Sequence, residues 1–255
     1  MQERFISTPH GRIHFHHGGS GSPLLLLHSN GGSAYDFEAV TERLSSRFEV
    51  FAWDMPGQGD SDPITRHVSV ADYTDAAIAF MDALGLRRAS VLGVSIGGAI
   101  CVRMGAHHAD RLDKLFIVEC PYRSEAEWQK QWPRIEANFA LPIQTRDAVA
   151  PRLREVSEEF LLRWNIDRSK AGAKTMVDVM WALREYDAAS DLARVPEGSV
   201  VVFGDRGPTI GNMEAFIGPM RAPRVEVMRG SGHFPMVDAP DEFCALIERQ
   251  TGHAS

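Results

Sequence analysis

The stretch that most constrains this chain is residues 89–98, Ala-Ser-Val-Leu-Gly-Val-Ser-Ile-Gly-Gly. An apolar run enters a Gly-x-Ser-x-Gly turn, and a helical pattern over 98–107 follows without a gap. Strand, turn and helix in that order hold a serine hydroxyl exposed at the end of a strand. Glycines at 93 and 97 fit, because so sharp a turn leaves no room for side chains on either side of Ser95. The helix N-terminus beneath it favours negative charge developing there. Ser95 is therefore the candidate nucleophile, and its setting requires a sheet covered by helices.

The remaining order of elements agrees with that setting. Short apolar runs at 12–15, 23–27, 48–53, 112–119, 199–203 and 225–228 join 89–94 as strand candidates and alternate with helical patterns. Runs without polar alternation suit strands buried on both faces, as in parallel sheets. After Ser69 the signals of a helix are complete. Ser69 and Asp72 form a capping box, Tyr73, Ala76, Ala77, Phe80, Met81 and Leu84 recur at helical spacing, and Gly85 supplies the stop. The expected fold class is α/β: a mostly parallel, doubly wound sheet of about eight strands with helices on both faces, its functional loops at the carboxyl ends of the strands.

Strand signals cease between Pro121 and about Asp187. Residues 121–187 are expected to form a helical cap inserted into a core of 1–120 and 188–255. Trp128, Trp132, Ile135 and Phe139 make one apolar stripe, and Trp164 and Trp181 add aromatic surface. Packing of the cap onto the core is the first expectation for these tryptophans, and lining of a substrate pocket the second.

A serine hydroxyl is a poor nucleophile without a base. Gly230-Ser231-Gly232-His233-Phe234-Pro235 follows the last strand candidate and offers His233. With Ser95 and His233 in this order, the chain resembles the α/β-hydrolase family over nearly its whole length. Leu27-His28-Ser29-Asn30-Gly31-Gly32 resembles the family's oxyanion loop, and Asp54-Met55-Pro56-Gly57-Gln58-Gly59-Asp60-Ser61 its Gly-rich turn, where Asp54 and Ser61 are expected to brace loops. The resemblance implies oxyanion donors at the backbone N–H groups of Ile96 and Asn30. Ser29, standing where glycine is usual, is the alternative on that loop.

The usual position of the triad acid holds Gly207, which has no carboxylate. Two substitutes remain. Glu119, closing the strand after the nucleophile, resembles the acid of a haloalkane dehalogenase group and is favoured; Asp205 is the alternative. Glu119 could otherwise pair with Arg123, and Asp205 could be a turn residue. The likeness to dehalogenases stops at the acid, because those enzymes use an aspartate nucleophile beside a tryptophan, where this chain has Ser95 and Ile96.

These residues imply a serine hydrolase acting through an acyl-enzyme on a small, partly apolar ester, lactone, thioester or activated C–C substrate, with Arg123 as a candidate partner for a substrate carboxylate. A ligand-binding or sensor protein with weak turnover is the competing reading, and its one support is Gly207. No cofactor is expected. A metal site on His14, His16 and His17 is not expected, since no Cys, Asp or Glu accompanies them in sequence. The net charge of -7 and the absence of a basic run argue against nucleic acid. The longest apolar run, 24–27, is too short to cross a membrane, and the N-terminus lacks the apolar stretch of a secretory signal. Cys101, Cys120 and Cys244, odd in number and set among apolar neighbours, look like packed thiols. A cytoplasmic location follows as the expectation.

Overall fold

A computed structural model describes residues 1–252. Eight strands form one sheet: β1 (Gln2–Thr8), β2 (Gly11–Gly18), β3 (Ser22–Leu27), β4 (Phe48–Trp53), β5 (Ala89–Val94), β6 (Leu112–Val118), β7 (Val200–Gly204) and β8 (Arg224–Met228). Their order is β1-β2-β4-β3-β5-β6-β7-β8. β1, β2 and β4 pair antiparallel, and every pairing from β4 to β8 is parallel.

The helices are α1 (Glu38–Ser45), α2 (Val70–Ala83), α3 (Ile96–His107), α4 (Glu125–Phe139), α5 (Arg146–Val149), α6 (Glu158–Glu185), α7 (Ala188–Leu192), α8 (Met213–Ile217), α9 (Pro235–Asp238) and α10 (Pro240–Gln250). Strand residues alternate between two faces, so each apolar run feeds two cores. Leu25, Leu27, Val91 and Ile117 join α2 and α3 in one core, while Leu24, Leu26, Leu92 and Phe116 join α1 and α10 in the other. Leu24, Leu25, Leu26 and Leu27 are all fully buried, each a contribution of roughly 1.5–3 kcal/mol. This two-sided burial is why the central strands carry no polar alternation.

β1 stands outside the strands read from sequence. Its side chains are mostly exposed, so no apolar rhythm announces it. Its antiparallel register sets Glu3 opposite His16 and Phe5 opposite His14. Helix α3 starts at Ile96, two residues before the sequence pattern places it, which leaves Ser95 as its N-cap. β6 ends at Val118, so Glu119 is the first residue beyond the strand. The Ser69–Asp72 capping box is formed at the start of α2, and Gly85 turns past its end with φ +73°.

Between β6 and β7 the chain is helical, with α4 and α6 packed together. α6 is interrupted at Gly172, where φ is +75° and ψ 153°. Among the described residues, no helix is long and apolar enough to cross a membrane.

Candidate active site

Ser95 sits at φ 58° and ψ −116°, a conformation L-residues rarely adopt, in the turn from β5 to α3. Its backbone N–H donates to Val118 O at 3.0 Å, which ties the turn to the neighbouring strand. A Cβ on Gly97 would stand 2.9 Å from the carbonyl carbon of Leu27, and one on Gly93 2.8 Å from Cys101 Sγ. The two glycines are thus required by close approach of the sheet and of α3 itself.

His233 lies in the loop between β8 and α9. Its Nδ1 is 3.1 Å from Glu119 Oε2. Glu119 is fully buried and also accepts from the Gly204 N–H and the Thr209 hydroxyl, each at 2.8 Å. A carboxylate oxygen only accepts from a ring N–H, so this contact favours the tautomer with its proton on Nδ1 and an acceptor at Nε2. Glu119 itself has φ +47°, so the backbone is bent past the strand end to turn the side chain toward His233. The Glu119–Arg123 pair entertained from sequence does not form: Arg123 Nε donates to Gln131 Oε1 at 3.2 Å and the guanidinium lies over Trp128 at 4.7 Å. Asp205 accepts from the Gly230 N–H at 2.7 Å, bracing the base of the histidine loop.

The helical segment between β6 and β7 also holds this loop. The His233 N–H donates to Arg152 O at 2.7 Å. Asp238 accepts from the Arg154 N–H at 2.8 Å and from the Gly232 N–H at 2.7 Å. Neither Arg152 nor Asp238 was indicated by the sequence, because the first acts through a carbonyl that every residue has.

On the loop after β3, Ser29 is committed elsewhere. Its N–H and hydroxyl both donate to Asp36 Oδ2, at 2.9 and 2.7 Å. The Gly31 N–H donates to Gln58 Oε1 at 2.6 Å and the Gly32 N–H to Ser29 O at 3.1 Å. Among the described residues, Asn30 is the one in this turn whose N–H has no protein acceptor; its side-chain Nδ2 donates to Met176 O at 2.9 Å. The Ile96 N–H belongs to the first turn of α3, where helical N–H groups have no partner within the helix.

Asp54 braces loops. It accepts from the Ala34 N–H at 2.7 Å and the Asp60 N–H at 2.8 Å, and faces His14 Nδ1 at 2.8 Å. Ser61 donates to Asp54 O at 2.7 Å and accepts from the His14 N–H at 2.9 Å. His28 is a second brace, with Nδ1 2.7 Å from Ser29 O and Nε2 accepting from the Met55 N–H at 2.7 Å.

The tryptophans divide. Trp128 and Ile135 are buried in the core on the α3 side, with Trp132 and Phe139 packed against it. Trp132 and Trp181 meet with ring centroids 4.2 Å apart and planes tilted by 52°, with Arg184 over both. Trp164 alone of the four packs beside the histidine loop, 5.7 Å from the Phe234 ring, and its indole N–H donates to Gln144 Oε1 at 3.0 Å.

Glu3, His14 and His16 gather with ligand atoms within 4.8 Å of one another, and so do His14, Asp54 and Asp60. No carboxylate stands beside these histidines along the chain; Glu3 comes from β1, the strand without an apolar rhythm. The three cysteines are buried and unpaired, and burial followed by the charge of Glu119 pushes the Cys120 thiol far above its ordinary range.

Comparison with known proteins places the geometry in context. The alpha/beta hydrolase family matches residues 24–246. A pimeloyl-[acyl-carrier protein] methyl ester esterase from Vibrio vulnificus (strain YJ016) is 30% identical over 248 residues, covering 91% of this chain and 95% of that one. Among solved structures, the enol-lactonase from Burkholderia xenovorans LB400 superposes with a TM-score of 0.85 at 18% identity, over 98% of this chain and all 100% of that one. An esterase from Thermogutta terrifontis does so with a TM-score of 0.82 at 22% identity, over 98% and 97%.

Proposed function

The chain belongs to the alpha/beta hydrolase family, and from that premise we propose that it is a serine hydrolase whose nucleophile is Ser95, whose base is His233 and whose acid is Glu119. The observation that carries this reading is the 3.1 Å contact of His233 Nδ1 with a carboxylate that is fully buried and bound by two further donors.

In this mechanism His233 Nε2 takes the Ser95 proton as Oγ bonds to the substrate carbonyl carbon, and the carbonyl electron pair moves onto oxygen. Glu119 fixes the tautomer and stabilises the imidazolium that forms. The N–H groups of Ile96 and Asn30 receive the oxyanion, and one such donor is worth about 10²–10³ in rate. Collapse expels the leaving group, which takes the proton from His233. Water, deprotonated by the same nitrogen, then releases the acyl group. The substrate is a small, partly apolar acyl compound; esters lead, ahead of lactones, thioesters and activated C–C bonds.

In the same reading residues 121–187 act as a cap over a core of 1–120 and 188–255, supported by the bonds from Arg152 O to the histidine loop and from Met176 O to Asn30. A reducing, cytoplasmic setting is supported by the three unpaired buried thiols. The sensor reading loses its one support, since Glu119 faces His233 where Gly207 has no carboxylate to offer.

The test is labelling by a fluorophosphonate together with hydrolysis of short acyl esters. Wild-type protein should label and hydrolyse, and Ser95→Ala should do neither. An unlabelled, inactive wild type would sink the proposal.

A further inference from the structure

Arg168, on α6, is fully buried, yet its protein partners use one nitrogen only. Nη2 donates to Asn138 O at 2.9 Å and Leu141 O at 2.7 Å, at the C-terminal end of α4. Nε and Nη1 are buried and have no protein acceptor. A residue whose task was to cap α4 would not need a forked cation with two further donors sealed from solvent.

The surroundings are cationic. Arg152 raises the local positive potential, and burial together with that neighbour pulls the Arg168 guanidinium down to about 10. No carboxylate is among the groups acting on it. Both guanidinium groups lie over the Trp164 ring, Arg168 at 5.5 Å and Arg152 at 5.7 Å from its centroid. Arg152 is the residue whose carbonyl holds the His233 N–H. On its other side Arg168 presses on the loop that carries Asn30: Nη1 is 3.4 Å, and Cγ 3.1 Å, from where a Cβ on Gly31 would stand. The nearest atom to such a Cβ is Met176 Sδ at 2.8 Å, and the φ of +81° at Gly31 is one that side chains rarely adopt.

We propose that Arg168, backed by Arg152, is the specificity residue of this site and receives a carboxylate on the acyl portion of the substrate. It rests on Ser95 being the nucleophile and narrows the substrate to anionic acyl compounds, such as half-esters of short dicarboxylic acids. A carboxylate only accepts, and the guanidinium has donors that no protein group uses; Nη1, on the Cδ side and next to Gly31, would take one carboxylate oxygen, while the Nε–H points to the other side. Arg123, the candidate from sequence, has its Nε on Gln131 and its guanidinium over Trp128, which leaves one nitrogen, Nη1, buried without a protein acceptor against two in Arg168.

The experiment compares kcat/KM on mono-p-nitrophenyl glutarate and p-nitrophenyl valerate, for the wild type, Arg168→Met and Arg168→Lys. The wild type should prefer the half-ester, and Arg168→Met should lose about 10–100-fold more on it than on the neutral ester, as expected for hydrogen bonds to a charged group. Arg168→Lys should fall between. A turnover-free arm uses Ser95→Ala: glutarate should raise its Tm, and should leave Ser95→Ala/Arg168→Met unmoved. The proposal is overturned by equal losses on both esters, by a wild type indifferent to the carboxylate, or by inorganic phosphate raising Tm where glutarate does not. Failure of fluorophosphonate labelling would remove the hydrolase reading alone, because glutarate binding to Ser95→Ala is judged separately.

Discussion

Gly207 and Glu119 contend for one space: a Cβ on Gly207 would stand 2.6 Å from Glu119 Cδ and overlap Oε1. The position where relatives are expected to carry the acid and the position proposed to carry it here are therefore adjacent, reached from two different strand ends. Absence of a side chain at 207 makes room for the carboxylate from 119. Glu119→Gln should retain the contacts of shape but lose the charge that stabilises the imidazolium, lowering kcat by about 10³–10⁴. Asp205→Asn removes only a brace to Gly230 and should lower it by less than about tenfold. Steady-state kinetics on one ester decides between them, and comparable losses in both variants would refute the assignment to Glu119.

Strain at Ser95 makes a second prediction. A serine at φ 58° and ψ −116° is tolerated because Val118 O and the packing of Gly97 fix the turn around it. Glycine relieves such a conformation, so Ser95→Gly should gain about 1 kcal/mol of stability while abolishing labelling and turnover. Urea unfolding of the two proteins measures the gain; a destabilised variant would show that the turn stores no strain.

What was legible in the sequence was local. The turn at Ser95, the capping box at Ser69 and the buried strands are each written in adjacent residues whose chemistry dictates backbone shape. β1 was not legible, because an exposed edge strand carries no apolar alternation, and with it went the carboxylate of Glu3 beside His16. Glu119 was reached by resemblance alone: no local pattern tells that a glutamate ending β6 will face a histidine 114 residues later. Arg168 left a signal that was available, for it falls one helical turn after Trp164, on the face that α6 buries. That Arg168 is sealed from solvent while Arg123 is partly exposed is decided by tertiary packing.

Thr209 supplies a prediction that sequence could not. Its hydroxyl donates to the same Glu119 oxygen that faces His233. Thr209→Val keeps the shape and removes that bond, so the carboxylate is less firmly aimed. The loss in kcat should be about tenfold, with KM little changed, since one hydrogen bond to a charged group is at stake. Thr209→Ser should restore most of it. A variant at wild-type rate would show that Gly204 and His233 suffice to hold the acid.

The His14–Asp54 pair predicts how stability follows pH. Burial acts to lower the His14 pKa, but the bond and charge of Asp54 outweigh it, and the folded value lies above 6.5. Burial acts to raise that of Asp54, but His14, His28 and the N–H groups of Asp60 and Ala34 outweigh it, and the folded value lies below 3.8. The histidine therefore contributes stability that is complete below 6.5 and declines as pH rises through its folded value; the aspartate contributes stability that is complete above 3.8 and declines as pH falls through its own. Both act together between those limits. Breaking a buried pair of this kind costs about 3–5 kcal/mol, so His14→Gln should be most damaging near pH 5 and progressively less so as pH rises through the folded His14 value, above which the neutral imidazole keeps only an uncharged hydrogen bond. Urea unfolding of both proteins at a series of pH values measures this. A difference that stays constant from pH 5 to 9 would mean that the pair does not titrate on folding and that His14 acts through its shape alone.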